Sequence, residues 1–246
     1  MLANKPEEDL HLVALADPCQ LAQAKFLEKV PAAQAFDDHR QLLNEGLDGV
    51  FVLSPDWLHE EHAIDFLSAG ISVYLEKPMA ITTEGCHRIL ETAHRSGAKL
   101  YVGHNMRQFG VVRQMKEAID GGLIGDVKAA WCRHFVSYGG EAYFRDWHAD
   151  RSKSTGLLLQ KGAHDIDVMH WLCGGYSKRV TAMGKLAVYG DNEDRRAASD
   201  PVNLKIEATF PPELLQGLNP VVDVEDLNMM LMELDNGVLA SYQQCH

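Results

Sequence analysis

Positive charge is scarce in this sequence. Twenty-three Lys and Arg face 35 Asp and Glu, a formal net charge of -12. A nucleic-acid partner requires a basic surface, so that class is set aside. No run of about 18 apolar residues occurs, and no membrane-spanning helix is expected. Cysteine is sparse and poorly spaced for bonding: Cys19, Cys86, Cys132, Cys173 and Cys245 are scattered, odd in number and never C-x-x-C. They read as reduced thiols in a cytoplasmic setting, not as a disulfide frame or a zinc site. The stretch from Met1 to Asp9 holds no signal-peptide apolar core. None of the 20 glycines falls in a G-x-G, so the usual phosphate-cradling turn is not written here. Repeats and low-complexity tracts are absent too.

What is present is ordinary globular sequence: 246 residues, 46% apolar and 24% charged. That suffices for one large domain or two modest ones. Apolar runs at 11–16, 47–53, 71–75 and 99–102 read as buried strands. Between and after them, 20–30, 57–68, 82–96 and 111–119 have helical spacing. Thr82 or Thr83 is a cap, and Gly70, Gly97 and Gly121-Gly122 are stops. Strand and helix thus alternate in the βαβ pattern of a doubly wound parallel sheet. After Gly125 the style changes. Strands are expected at 126–138, 179–189, 202–210, 225–233 and 238–245, with one clear helix at 157–172. That order suits an α+β domain with an open, mostly antiparallel sheet. The boundary falls near 121–125, giving domains 1–122 and 123–246, with loops at 190–201 and 211–220.

The most informative stretch is Val73-Tyr74-Leu75-Glu76-Lys77-Pro78. A strand needs no Glu-Lys at its C-terminal end in order to fold, and Pro78 closes the ladder because it has no N–H to donate. Open α/β sheets bind ligands outside the carboxyl ends of their strands, which directs Lys77 into the ligand crevice. A surface Glu-Lys pair at a strand exit is the plain alternative. A cis bond before Pro78 would suit a tight functional turn. A second polar set is Gln160, His164 and Asp167, spaced i, i+4, i+7 and so on one face of the 157–172 helix. Leu157, Leu158, Ile166, Met169 and Cys173 supply its buried side. Such a stripe is usually a solvated face, yet an imidazole titrates near neutral pH and makes His164 the candidate general base. Just before this helix, Tyr143, Arg145, Trp147 and Arg151 form an aromatic and basic cluster. A sugar ring can stack on Trp147 and bond to the arginines; ordinary packing accounts for each residue equally well.

These segments resemble the Gfo/Idh/MocA family of nicotinamide-dependent oxidoreductases. The match rests on Ala16-Asp17-Pro18, Ser54-Pro55-Asp56-Trp57-Leu58-His59, Glu76-Lys77-Pro78 and the run from Gly156 through Gln160 and His164 to Asp167. E-K-P alone is weakly specific. Followed about eighty residues later by a glycine-led helix with H-x-x-D, it is a strong signal. The resemblance implies a Rossmann domain and then a domain with an open, mostly antiparallel sheet. It implies that Glu76 contacts the nicotinamide ribose and that Lys77 bonds the reacting oxygen of the substrate. Ser54, Pro55 and His59 would touch the cofactor's pyrophosphate or nicotinamide half, and Arg107 would line the cofactor–substrate crevice. Asp17 would take the adenosine ribose hydroxyls, favouring NAD over NADP because a carboxylate repels a 2′-phosphate. An Asp beside Pro18 at a helix N-terminus is the structural alternative. His59 and His62 mimic a metal pair at i, i+3, but no third ligand is in sight and no metal is expected.

Two departures matter. Many sugar and inositol dehydrogenases of the family carry Asp where this chain has Gln160, which orients a hydroxyl but takes no proton; Lys161 beside it restores some polarity. A family member also opens with a strand and a Gly-rich turn, and runs on beyond the position of His246. The chain is therefore expected to be incomplete, with the strands near Leu12 and Ile71 lacking a shared neighbour, and to bind cofactor weakly or not at all. The expected function is hydride transfer between NAD and a polyol, inositol or sugar derivative. Lys77 and His164 handle the proton, and Lys77, Arg145, Trp147, Gln160, His164 and Asp167 hold the substrate. A non-catalytic sensor on the same fold and NAD-assisted glycosidase or eliminase chemistry are the rivals. The resemblance further implies dimers or tetramers formed through the exposed second-domain sheet.

Overall fold

The structure, a computed structural model, describes residues 10–136, 140–202 and 215–246. The chain forms two compact units. One comprises 10–53, 58–75 and 84–101; the other comprises the described parts of 54–57, 76–83 and 102–246.

The first unit is built from βα repeats. Strand β1 (Ala14–Ala16) leads to α1 (Gln20–Leu27), β2 (Gln34–Phe36) and a 3-10 helix at His39–Asn44. Then come β3 (Gly49–Val52), α2 (His59–Ser68), β4 (Ser72–Glu76), α3 (Thr83–Ser96) and β5 (Leu100–Gly103). β1 and β2 pair in parallel, as do β3 and β4, and β5 lies on the other edge of β4. This is the Rossmann-like parallel order read from the sequence. Alternation along β4 sends Val73 and Leu75 into a core with Val52, Ala63, Phe66, Leu67 and Ile89. On the opposite face Tyr74 meets Phe51 and Tyr101 at ring distances of 5.2 and 5.3 Å.

Two expectations are corrected here. Strand β2 was not foreseen: three residues are too short to show alternation, and only the ladder to β1 defines them. The backbone of Asp17 continues that ladder, donating to the Phe36 carbonyl at 3.0 Å. The strand after Ile71 does not lack a neighbour. β4 is the central strand of its three-stranded sheet, while β1 and β3 each have a single partner among the described residues.

The second unit holds α4 (Gly110–Asp120), β6 (Ala129–Phe135), the short helices α5 (Glu141–Arg145), α6 (Arg151–Ser154) and α7 (Leu157–Gln160), then α8 (Gly162–Cys173). Strands β7 (Ser177–Lys185), β8 (Leu227–Leu234) and β9 (Leu239–Cys245) follow. The sheet order is β6-β9-β8-β7, with β6 parallel to β9 and the other two pairings antiparallel. Helix α8 packs Met169 and Cys173 onto Met230, Met232 and Leu234 of β8 and Ala240 and Tyr242 of β9. On the other face, register aligns Trp131, Met183, Met229, Leu231 and Leu239, all exposed. Helices α5 and α6 were not anticipated, being too short to show a period. The strand expected at 202–210 lies almost wholly outside the described residues.

The helix expected at 157–172 is two helices, broken at Lys161. Packing at Gly162 marks the break. A Cβ there would lie 3.2 Å from both Gln244 Oε1 and Tyr242 Cε1, so α8 starts close against β9, and a larger residue at 162 would require those side chains to give by a few tenths of an ångström. Gly174, in the left-handed region at φ 67°, ends α8. Beneath α8, Tyr242 OH lies 2.9 Å from Asp165 Oδ2 and 2.8 Å from Gln244 Oε1, and His134 Nδ1 is 2.7 Å from the same Asp165 oxygen. Among the described residues no helix is long and apolar enough to cross a membrane. Tyr242→Phe removes one buried partner from Asp165 and is expected to cost about 1–3 kcal/mol, read as a lower urea midpoint with an unchanged slope; an unchanged midpoint contradicts this account of the network.

Candidate active site

The site is built on the end of β4. Glu76 closes the strand, and the Lys77–Pro78 peptide is cis. Lys77 is only 7% exposed, and its Nζ donates to the Gln160 carbonyl at 2.6 Å. That carbonyl ends the four-residue α7, where helix geometry leaves an acceptor without an intrahelical partner. Asp56, 4% exposed, opens a 3-10 turn and acts electrostatically on the same ammonium. Burial raises the Asp56 carboxyl and lowers the Lys77 ammonium, against their mutual attraction. Asp56 Oδ2 has no hydrogen-bond partner among the described residues. The sequence named Asp56 only within the Ser54–His59 segment of the family resemblance and gave it no role; its burial was the missing signal.

Gln160 and His164 flank the Lys161 break and do not share a continuous helix. The His164 amide donates to the Lys161 carbonyl at 3.3 Å. His164 Nδ1 and Gln160 Oε1 are buried and unpartnered among the described residues. Burial pushes the His164 imidazole down to about 4, and the positive charges of Lys77 and Lys161 push the same way. The ring is thus neutral near pH 7, the form that accepts a proton.

Other expected site residues turn out to be tied to protein partners. Arg107 grips Asp167 with two bonds, Nε to Oδ2 at 2.7 Å and Nη2 to Oδ1 at 2.6 Å, and lies 5.6 Å over the Trp171 ring. His104 Nδ1 stands 3.6 Å from the same carboxylate. Arg145 is buried and donates to the Gln216 carbonyl at 3.2 Å. The Trp147 ring stacks on His148 at 3.8 Å and meets Trp57 edge-on at 5.1 Å. Ser54, Pro55 and Glu76 are half-buried at the same strand ends. In the first unit, Asp17 follows β1 and its Oδ1 accepts from the Cys19 amide at 2.8 Å. His59 is fully buried at the start of α2, and the His62 ring lies 3.9 Å from His39. His39, Glu61 and Asp65 offer ligand atoms within 4.8 Å of one another, but Arg40 already pairs with both carboxylates.

The fold is a Rossmann-like parallel sheet followed by a mixed sheet. The family model described as "Oxidoreductase family, NAD-binding Rossmann fold" matches residues 2–104, and "GFO/IDH/MocA C-terminal domain" matches 112–246. The chain belongs to the Gfo/Idh/MocA family. It is 32% identical over 186 residues to the putative oxidoreductase YteT of Bacillus subtilis, covering 73% of this chain and 43% of that protein. It is 32% identical over 165 residues to inositol 2-dehydrogenase/D-chiro-inositol 3-dehydrogenase of Halalkalibacterium halodurans, covering 65% and 44%. The crystal structure of the WlbA dehydrogenase of Bordetella pertussis, in complex with NADH and UDP-GlcNAcA, has the same fold, with TM-score 0.76 at 21% identity over 96% of this chain and 59% of that one. The chain spans about half the length of the curated relatives it matches.

The residues fit one half of a nicotinamide cofactor's needs. Buried, unpartnered Gln160 Oε1, His164 Nδ1 and Asp56 Oδ2 around Lys77 suit a hydroxylated carbon and the polar group that reacts with it. For the pyrophosphate the chain supplies no G-x-G turn.

Acid sensitivity follows from the imidazoles. Burial brings His62, His148, His164 and His246 each down from 6.5 to about 4. Between those values the unfolded chain binds protons that the folded chain refuses, so stability is full above about pH 6.5 and is lost as pH falls towards 4. Urea midpoints measured across this window are expected to drop steeply; a flat profile contradicts the burial of these rings.

Proposed function

We propose that this site transfers a hydride between NAD and a CH–OH carbon of a polyol, inositol or sugar derivative. The observation that carries the reading is the buried Lys77 ammonium on the Gln160 carbonyl, sharing its surroundings with the unpartnered, neutral His164. The nicotinamide, when bound, supplies the hydride acceptor. Lys77 stabilises the alkoxide that develops on the carbinol oxygen as hydride leaves, and in reverse it polarises the carbonyl. His164 takes the hydroxyl proton, Gln160 orients the hydroxyl, and Asp56 lets the Lys77 proton shift without a full charge being stranded in the interior.

In the second unit we assign Ser54, Pro55, Glu76 and Lys77 to the nicotinamide half, together with Arg107, which Asp167 holds. In the first, Asp17 keeps one carboxylate oxygen off the Cys19 amide and able to accept from a ribose diol, which favours NAD over NADP. His59 is assigned to the cofactor as well. We assign Lys77, Gln160, His164, Trp147, Arg145 and Asp167 to the substrate. We place the protein in the cytoplasm and read it as domains 1–122 and 123–246. Gln160 in place of a carboxylate favours, as the second reading, a non-catalytic NAD- or sugar-binding sensor on this fold.

Lys77→Met is expected to lower kcat by a factor of about 10²–10³ and His164→Asn by about 10²–10⁴, followed by NADH absorbance with inositols and sugars as substrates. Variants that turn over like the parent remove the dehydrogenase assignment, and a parent inert to every polyol favours the sensor.

The bare face of the second-unit sheet supports a homo-oligomer. Trp131 is 74% exposed and Leu231 65%, and they lie on the same face with Met183 and Leu239. An apolar sheet face of this kind is a protein-contact surface. Leu231→Glu is expected to convert a dimer or tetramer to monomer in gel filtration with light scattering; a parent that is already monomeric refutes the interface.

A further inference from the structure

Lys161 is a charge the reaction does not use. It sits half-buried at the joint of α7 and α8, its amide donating to the Leu157 carbonyl at 2.8 Å and its carbonyl accepting from His164 at 3.3 Å. Among the described residues its ammonium has no hydrogen bond or ion pair. The neighbouring acid, Asp165, directs its Oδ2 to His134 and Tyr242. The arginines of the unit's site are also engaged, Arg107 by Asp167 and Arg145 by the Gln216 carbonyl.

Lys161 instead faces other cations and polar rings. Its charge acts on Lys77, whose Nζ reaches the carbonyl of the adjoining residue, and on His164 and His246. His148, which also feels Lys77, lies 5.2 Å from the Tyr143 ring, and His246 lies 5.0 Å from the same ring. His148 Nδ1, His164 Nδ1 and His246 Nε2 are all buried without hydrogen-bond partners among the described residues. The Lys161 and Lys77 charges repel each other, and an anion beside them turns that cost into attraction. Each neutral imidazole around them carries one N–H donor and one acceptor nitrogen.

We propose that Lys161 and Lys77 form an anion-binding pair, so that the substrate is a sugar or polyol bearing a carboxylate or phosphate close to the reacting carbinol. This rests on the dehydrogenase reading only for the role of Lys77; the anion site itself is a binding claim. Lys77 is committed to the reacting oxygen, so Lys161 recognises the acidic group, as a point charge.

The test is calorimetric titration of the full chain with two matched pairs, D-galacturonate against D-galactose and D-glucose 6-phosphate against D-glucose. One acid is expected to bind at least about tenfold more tightly than its neutral partner, the gain of one charge-assisted hydrogen bond. Which acid wins separates carboxylate from phosphate. The preference is expected to vanish in Lys161→Met and in Lys161→Gln and to persist in Lys161→Arg. Equal affinities within both pairs, no binding of any of the four, or a preference that survives both neutral variants overturns the proposal. So does a Lys161→Met protein that loses NAD affinity and keeps its preference for the acid. NADH formation is followed in the same samples. Lys161-dependent acid binding without turnover sinks the dehydrogenase and keeps the anion site, whereas turnover of neutral sugars alone does the reverse.

Discussion

A buried ammonium needs an acceptor, and the second unit is arranged to provide one. Lys77 leaves the end of β4 into a position from which water is nearly excluded, and there it meets a peptide carbonyl at 2.6 Å. An uncompensated charge in that position would be strongly destabilising. The carbonyl is available because α7 stops at Gln160; α8 restarts at Gly162, which lies close against Tyr242 and Gln244 of β9. The joint between the two helices thus carries the acceptor on which the buried lysine rests.

The same helix serves two purposes on two sides. Asp165 turns towards the sheet and gathers His134 and Tyr242, fixing α8 in rotation. His164, one residue earlier, is left with its Nδ1 buried and unbonded. Asp167 is clamped by Arg107 from the segment after β5. The partner-rich carboxylates are the scaffold, and the partner-poor groups are the ones with chemistry left to do.

Much of this was legible in the sequence. E-K-P at a strand end and H-x-x-D on a helix are local patterns, and short apolar runs alternating with helical spacing define the Rossmann-like order without any tertiary information. What stayed hidden depended on contacts distant in the chain. Arg107 and Asp167 are 60 residues apart and look like independent site residues until they are seen bonded to each other. The break at Lys161 adjoins a close contact of Gly162 with Tyr242 and Gln244, which periodicity does not register, and the spacing ran one helix through it. Asp56 was given no role because burial leaves no trace in so short a motif. β2 has no pattern of its own and exists through its ladder to β1.

Lys77 is moored to a peptide group, not to a side chain, and every amino acid at position 160 offers that same oxygen. The residue there is thereby released to vary. Exchanging an amide for an acid alters how protons are traded in the cleft, yet the lysine keeps its anchorage. A lineage built on this joint can retune its chemistry by one codon without first re-engineering the berth of its central cation.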